Sequence, residues 1–402
     1  MSRQVSPKNV IGRNRKIREI WKVLDRSSAL FTAERRIGKT TVMKKMAAEA
    51  PESFCPVFID LEKVDGPVRF VETLLSKGAN LQSAKNRVGG SIRSIVDKLG
   101  GVEIAGVLKI PEQNEHDWQA ILEKALAAIC EHQNDKRVIL LLDELPYMLQ
   151  KIVARERARG TDDRAALTIL DTLRAMRGEY PNLRMVYTGS VGLHHVVDEI
   201  RGIEYASEPL NDMVAVDIGP LDDDDARTLA IGLIRDEKIQ CRSLDSVVAT
   251  LVRLTDAIPF YIERVITRLA LEDGEIIEQT VKQEVQRLLT SDHDPWEMEH
   301  FRKRLKIYYS GFVDDQARDP VPLHRIAAVL LDHIAACSTP QSIDESYTGL
   351  KARIALDDRD CIVQMLRLLA KDHYLQTDLQ KRYSFRFSLV ARWWRLAQGY
   401  NR

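Results

Sequence analysis

The run FTAERRIGKTTVMKKM, residues 31–46, constrains the fold more than any other stretch of this chain. An apolar, β-rich segment (SALFT, 28–32) passes into a tight Gly38-Lys39-Thr40 and then into residues with helical spacing. Strand, turn and helix in that order bring backbone N–H groups and the positive end of a helix dipole to one point, an arrangement that binds phosphate. Gly38 has no Cβ and permits close approach, the Lys39 ammonium reaches the β- and γ-phosphates, and the Thr40 hydroxyl ligates Mg²⁺. Arg36 and Thr41 flank these residues and belong to the same predicted phosphate-side set. Ala33 stands where the usual pattern has its first glycine; at the strand exit its methyl is tolerated if its φ is negative.

A phosphate loop needs a sheet around it. Short β-rich runs at 28–32, 56–62, 137–144, 184–190 and 213–219 alternate with longer amphipathic stretches, which predicts a parallel, helix-covered sheet. RVILLLDELP (137–146) is apolar throughout its strand, as a central strand must be, and ends in two carboxylates. Asp143 is placed to hold Mg²⁺ through water and Glu144 to polarise the attacking water. The run RMVYTGS ends in hydroxyls, so Thr188 and Ser190 are expected to orient that water or touch the γ-phosphate. Arg35, Arg36, Arg174 and Arg177 are the nearby arginines that could neutralise γ-phosphate charge, although a solvated helix face accounts equally well for the last two.

At 402 residues the chain has room for two or three domains. The fold class expected is α/β: an ASCE-type P-loop NTPase core over 1–220, a helical lid over 221–295 and a C-terminal winged helix over 296–402. The lid begins at PLDDDDARTLA, an acidic helix start. Three helical stretches near 322–337, 345–354 and 358–375, followed by the alternating QTDLQKRYSFRFSL, outline the winged helix. Residues 78–116, with two Gly-Gly pairs and one strand-like run, read as an irregular insertion.

Together these motifs resemble the archaeal-type ATPases of the STAND branch of AAA-like P-loop NTPases, relatives of the origin-binding Orc/Cdc6 ATPases. The likeness is carried by IGRNRKIREI (11–20), ERRIGKTT (34–41), LLLDELP (140–146), YTGSVGL (187–193), IGPLDDDDA (218–226), DAIPFYIE (256–263) and the ending DHYL to RYSFRFSLVARWW. It spans nearly the whole chain. It implies ATP and Mg²⁺ as ligands, Ile11, Gly12 and Arg13 near adenine, and Pro259 touching the nucleotide from the lid. Ala33 and Ala257 depart from the family pattern, which has glycine at both.

Lys+Arg 59 balance Asp+Glu 59, so no global charge steers the chain to nucleic acid. The five cysteines are scattered without metal-ligand spacing, and no window approaches the roughly 18 apolar residues of a membrane span, so a reduced, cytoplasmic protein with no membrane role is expected. His194 and His195 are expected on different faces, and His293 and His300 in capping or packing roles. The function expected is an ATP-hydrolysing switch acting on a partner protein or DNA through the winged helix, with room for nucleotide-dependent oligomerisation. The alternative is an initiator-like or loader-like ATPase acting directly on duplex DNA. For DNA the candidate contacts are Arg367 and Lys371 on the third helix and Lys381, Arg382 and Arg386 on the wing, opposed by Asp357, Asp358, Asp360 and Asp372. Trp393 and Trp394 are interface or core aromatics.

Overall fold

A computed structural model describes residues 10–399 apart from 80–93, 95–101, 105–106, 111–115, 132–135, 162–163, 190–191, 202–207, 314–319 and 355. The chain divides into two compact units, Met1–Gly219 and Pro220–Arg402.

The first unit contains strands β1 (Ser28–Thr32), β2 (Phe54–Asp60), β3 (Val102–Ile104), β4 (Val107–Lys109), β5 (Arg137–Asp143), β6 (Leu183–Tyr187) and β7 (Met213–Asp217). Five of them make a sheet in the order β2-β5-β6-β1-β7, every pairing parallel. One strand, β6, therefore lies between the phosphate-loop strand β1 and the acidic strand β5, the order of ASCE-class P-loop domains. Val138 to Leu142 are all fully buried, because β5 has neighbours on both edges and helices on its faces.

Helices of this unit are α1 (Asn14–Leu24), α2 (Lys39–Ala48), α3 (Pro67–Ala79), α4 (Trp118–Glu131), α5 (Leu145–Arg159), α6 (Ala165–Glu179) and α7 (Leu193–Arg201). In α1 the buried side chains are Ile17, Ile20, Trp21 and Leu24, one stripe at helical spacing. A large apolar cluster joins β2, β5 and β6 to α3, α4, α5, α6 and α7. Within the 78–116 stretch, β3 and β4 pair as an antiparallel hairpin. Buried Glu72 on α3 holds it, accepting from Lys109 Nζ at 2.9 Å and from Ile110 N at 3.1 Å.

Arg177 on α6 neither faces solvent nor is available as a γ-phosphate arginine. It is 7% exposed, and its guanidinium donates to both Asp212 oxygens at 2.7 Å, to Tyr187 Oη at 2.6 Å and to Pro209 O at 2.8 Å. Truncation leaves Tyr187 Oη and Pro209 O buried without this donor while Asp212, at 40% exposed, turns to water, so Arg177→Ala is expected to cost about 2 kcal/mol in urea unfolding. A loss below 1 kcal/mol would show that the cluster is not structural.

The second unit holds α8 (Asp223–Asp236), α9 (Leu244–Leu254), α10 (Pro259–Leu269), α11 (Glu278–Leu289) and α12 (Glu299–Tyr308), then strands β8 (Phe312–Val313) and β9 (Val321–Pro322). Helices α13 (Leu323–Ala336), α14 (Ile343–Lys351) and α15 (Arg359–Lys371), the hairpin β10 (Leu375–Thr377) and β11 (Tyr383–Phe385), and α16 (Ser388–Ala397) complete it. The turn before α10 ties its two halves. Asp256 accepts from Ser388 Oγ and Leu389 N, both at 2.7 Å, so it caps α16. Asp256 and Ala257 have φ of 50° and 53°, a left-handed conformation that glycine adopts without strain. Trp393 and Trp394 are core residues: both are buried, Trp394 Nε1 donates to Asp332 at 2.8 Å, and the Arg302 guanidinium lies over both rings.

Candidate nucleotide site

Gly38 caps α2 with φ 101°, a conformation that strains any residue with a Cβ. Arg36, half-buried, is the other left-handed residue of the loop, at φ 70°. Ala33 is not among the positive-φ residues, so its methyl meets the condition set by the sequence. Lys39 is buried, and its ammonium donates to the loop carbonyls of Ala33 at 3.0 Å and Glu34 at 3.3 Å. These bonds hold the amine at the centre of the turn. Thr41 lies half-buried in the first turn of α2.

The segment before α1 is stitched to this loop. Arg13 is buried, and its guanidinium donates to Ile37 O at 2.8 Å and Gly219 O at 2.7 Å. Lys45, nearly two turns along α2, donates to Val10 O at 3.0 Å. Half-buried Ile11 and Gly12, the latter at φ 75°, are thereby held against the same loop. This anchoring role of Arg13 and Lys45 was not visible in spacing, because both act through backbone carbonyls.

At the end of β5, Asp143 is 3% exposed. The Thr40 hydroxyl hydrogen-bonds to its carboxylate, while its Oδ1 has no hydrogen-bond partner among the described residues. Burial pushes the Asp143 carboxyl up from its ordinary 3.8 to about 6; the Glu144 and Asp60 charges push the same way, against the Thr40 hydrogen bond and the Lys39 charge. An orphaned, buried carboxylate oxygen beside a hydroxyl is what a hard divalent cation with oxygen ligands would complete, so the residues fit Mg²⁺.

The cost of that carboxylate is testable. With a native pKa above the unfolded one, the folded state binds more protons between pH 3.8 and about 6, so stability falls as pH rises through that window and stays low above it. Without metal, Asp143→Asn is expected to melt higher than wild type at pH 7.5, the gap closing below pH 4. Calorimetric scans showing a less stable variant at pH 7.5 would contradict this.

Glu144 follows with φ 59°, a left-handed non-glycine residue capping α5. Strain of about 1–3 kcal/mol at such a position is a mark of functional sites. Gly189, after β6, faces it: a Cβ there would come within 2.6 Å of Pro146 Cδ and 3.6 Å of Glu144 Oε2. Sequence reading missed Gly189, whose need for no side chain is set by a contact across two strands. Thr188 is 1% exposed, its backbone bonded to Leu142 O and Leu145 N, and its Oγ1 has no hydrogen-bond partner among the described residues. Ser190 lies outside the described residues. Pro259 is the first residue of α10, in the second unit.

The other candidates separate. His194 and His195 do not diverge as expected: their ring centroids are 4.2 Å apart, since adjacent helix positions differ by 100° and not by 180°. His300 Nδ1 bonds Glu297 O at 2.7 Å, a packing role. Arg382 donates to Pro340 O at 2.9 Å and to Glu345 at 3.1 Å, and Arg386 contacts His373, so both tie the hairpin down. Asp358 caps α15 at Cys361 N, Asp357 pairs with Lys351, and buried Asp372 accepts from Tyr309 at 2.5 Å.

Sheet order, phosphate loop and the Thr40–Asp143 pair define a P-loop NTPase fold of the ASCE class. That fold is shared with the Walker-type ATPase PABY2304 of Pyrococcus abyssi, at a TM-score of 0.61 and 15% identity, covering 96% of this chain and 97% of that one. The Orc2 protein of Aeropyrum pernix in its ADP form aligns at a TM-score of 0.44 and 11% identity, over 99% and 96% of the two chains. No family model matches the chain and no curated protein matches it in sequence. No helix among the described residues is long and apolar enough to cross a membrane.

Proposed function

We propose that this chain is a Mg²⁺-dependent ATPase that works as a switch, changing its hold on a partner with nucleotide state. Asp143 Oδ1 beside the Thr40 hydroxyl carries this reading, because the fold buries a carboxylate oxygen that takes no hydrogen bond from any described residue. Lys39 exchanges its bonds to the carbonyls of residues 33 and 34 for the β- and γ-phosphate oxygens. Thr40 and Asp143 would hold Mg²⁺, which supplies charge neutralisation at those phosphates. Glu144, held by its left-handed backbone, accepts the proton of the attacking water, and Thr188 with Ser190 orients that water. Ile11, Gly12 and Arg13 flank the base, Pro259 is the nucleotide contact of the helical lid (221–295), and residues 296–402 act as a winged helix that passes the change on. Calorimetric titration of ATP with Mg²⁺ and with EDTA, together with phosphate release, tests this; no binding in either buffer overturns it.

A partner protein is the favoured receiver, since Arg382 and Arg386 are engaged within the unit. Direct action on duplex DNA is the second reading, supported by Arg367 and Lys371 exposed on α15 and Lys381 exposed after β10. If DNA binds there, anisotropy at low and moderate salt follows a log–log slope of about −0.9 per phosphate neutralised, and Arg367→Glu/Lys371→Glu/Lys381→Glu abolishes it. No binding at low salt by an active ATPase leaves the partner protein.

A further inference from the structure

Asp60, the last residue of β2, is paired in register with Asp143, the last residue of β5. Adjacent strands lie about 4.8 Å apart, so two carboxylates leave the C-terminal edge of the sheet side by side. Chain geometry fixes the first of them. Leu61 N donates to Asp143 O at 3.0 Å, and Lys151 Nζ on α5 donates to Glu62 O at 2.5 Å, which locks the exit of β2 against β5 and its following helix. Asp60 Oδ1 accepts from Glu62 N at 3.0 Å, and its second oxygen takes no protein hydrogen bond among the described residues. Asp60 is exposed while its neighbour is buried.

Placing like charges opposite one another on neighbouring strands destabilises a sheet. With Glu144 next in sequence, three carboxylates crowd this edge, one of them with an orphaned, buried oxygen. Mg²⁺ dehydrates reluctantly and keeps several waters, so a site with few direct protein ligands needs acceptors for the hydrogens of those waters. We propose that Asp60 is a metal-site residue, the carboxylate that accepts hydrogen bonds from the water shell of a divalent cation held by Thr40 and Asp143. This rests on the nucleotide-site reading above. The ligand class is a hard, oxygen-seeking divalent cation, Mg²⁺ or Mn²⁺.

Asp60→Asn keeps a side-chain oxygen for Glu62 N and removes only the charge, whereas Asp60→Ala removes both. Mn²⁺ binding to the full chain is read from the loss of the free-ion electron paramagnetic resonance signal, with ADP saturating for each variant. Melting is followed separately in EDTA. Both variants should bind Mn²⁺ about tenfold more weakly, and Asp60→Asn should melt above wild type in EDTA, because one of three crowded charges is gone. Mn²⁺ affinity within twofold of wild type for Asp60→Asn, or a lower melting temperature in EDTA, overturns the assignment and leaves Asp60 as the cap of Glu62 N. Failure of wild type to bind ADP at all would instead remove the nucleotide-site reading, and this inference with it.

Discussion

Replacing Lys39 by alanine is expected to weaken ATP binding by at least about 100-fold, below detection in a calorimetric titration. The side chain is buried in the turn, and its ammonium is directed at the carbonyls of Ala33 and Glu34. Exchanging those for phosphate oxygens makes two charge-assisted hydrogen bonds, each worth about 1.5–3 kcal/mol. Alanine loses both, and the phosphate charge is left to backbone amides and the dipole of α2. Folding should survive, because Val42, Met43 and Met46 anchor that helix independently. A folded Lys39→Ala variant with unchanged affinity would remove the phosphate from this loop.

Glu144→Gln is expected to slow hydrolysis by about 100- to 10,000-fold, the range for a lost general base, while ATP affinity stays within a few-fold. The amide keeps the size of the carboxylate, yet it cannot take the proton of water. ATP then stays bound, which single-turnover phosphate release and retention of labelled nucleotide both read. Wild-type turnover would place the base elsewhere, and loss of binding would make Glu144 a metal ligand. Gly189→Ala offers a steric counterpart: its methyl collides with Pro146, so it should disturb the placement of Glu144 without touching the loop.

Much of the core was legible because its signals are local. An apolar run such as that of β5 has to be an interior strand, and a glycine before Lys-Thr at a strand-to-helix turn is needed for φ alone, so the buried strand ending at Asp143 and the turn at Gly38 could be placed from spacing. The hairpin after α15 was legible in the same way, from period-two alternation. What spacing could not supply is who faces whom. Arg177 looks like any arginine of an exposed helix until Asp212 and Tyr187 close over it. Arg382 looks like a wing cation until Glu345 takes it. Arg13 and Gly189 serve partners 24 and more than 40 residues away in the chain, and Asp60 meets Asp143 only because β2 lies beside β5 in the sheet order. A residue's chemistry is written in its type, whereas its charge state, its strain and its partner come from neighbours that only the packed sheet brings within a few ångströms.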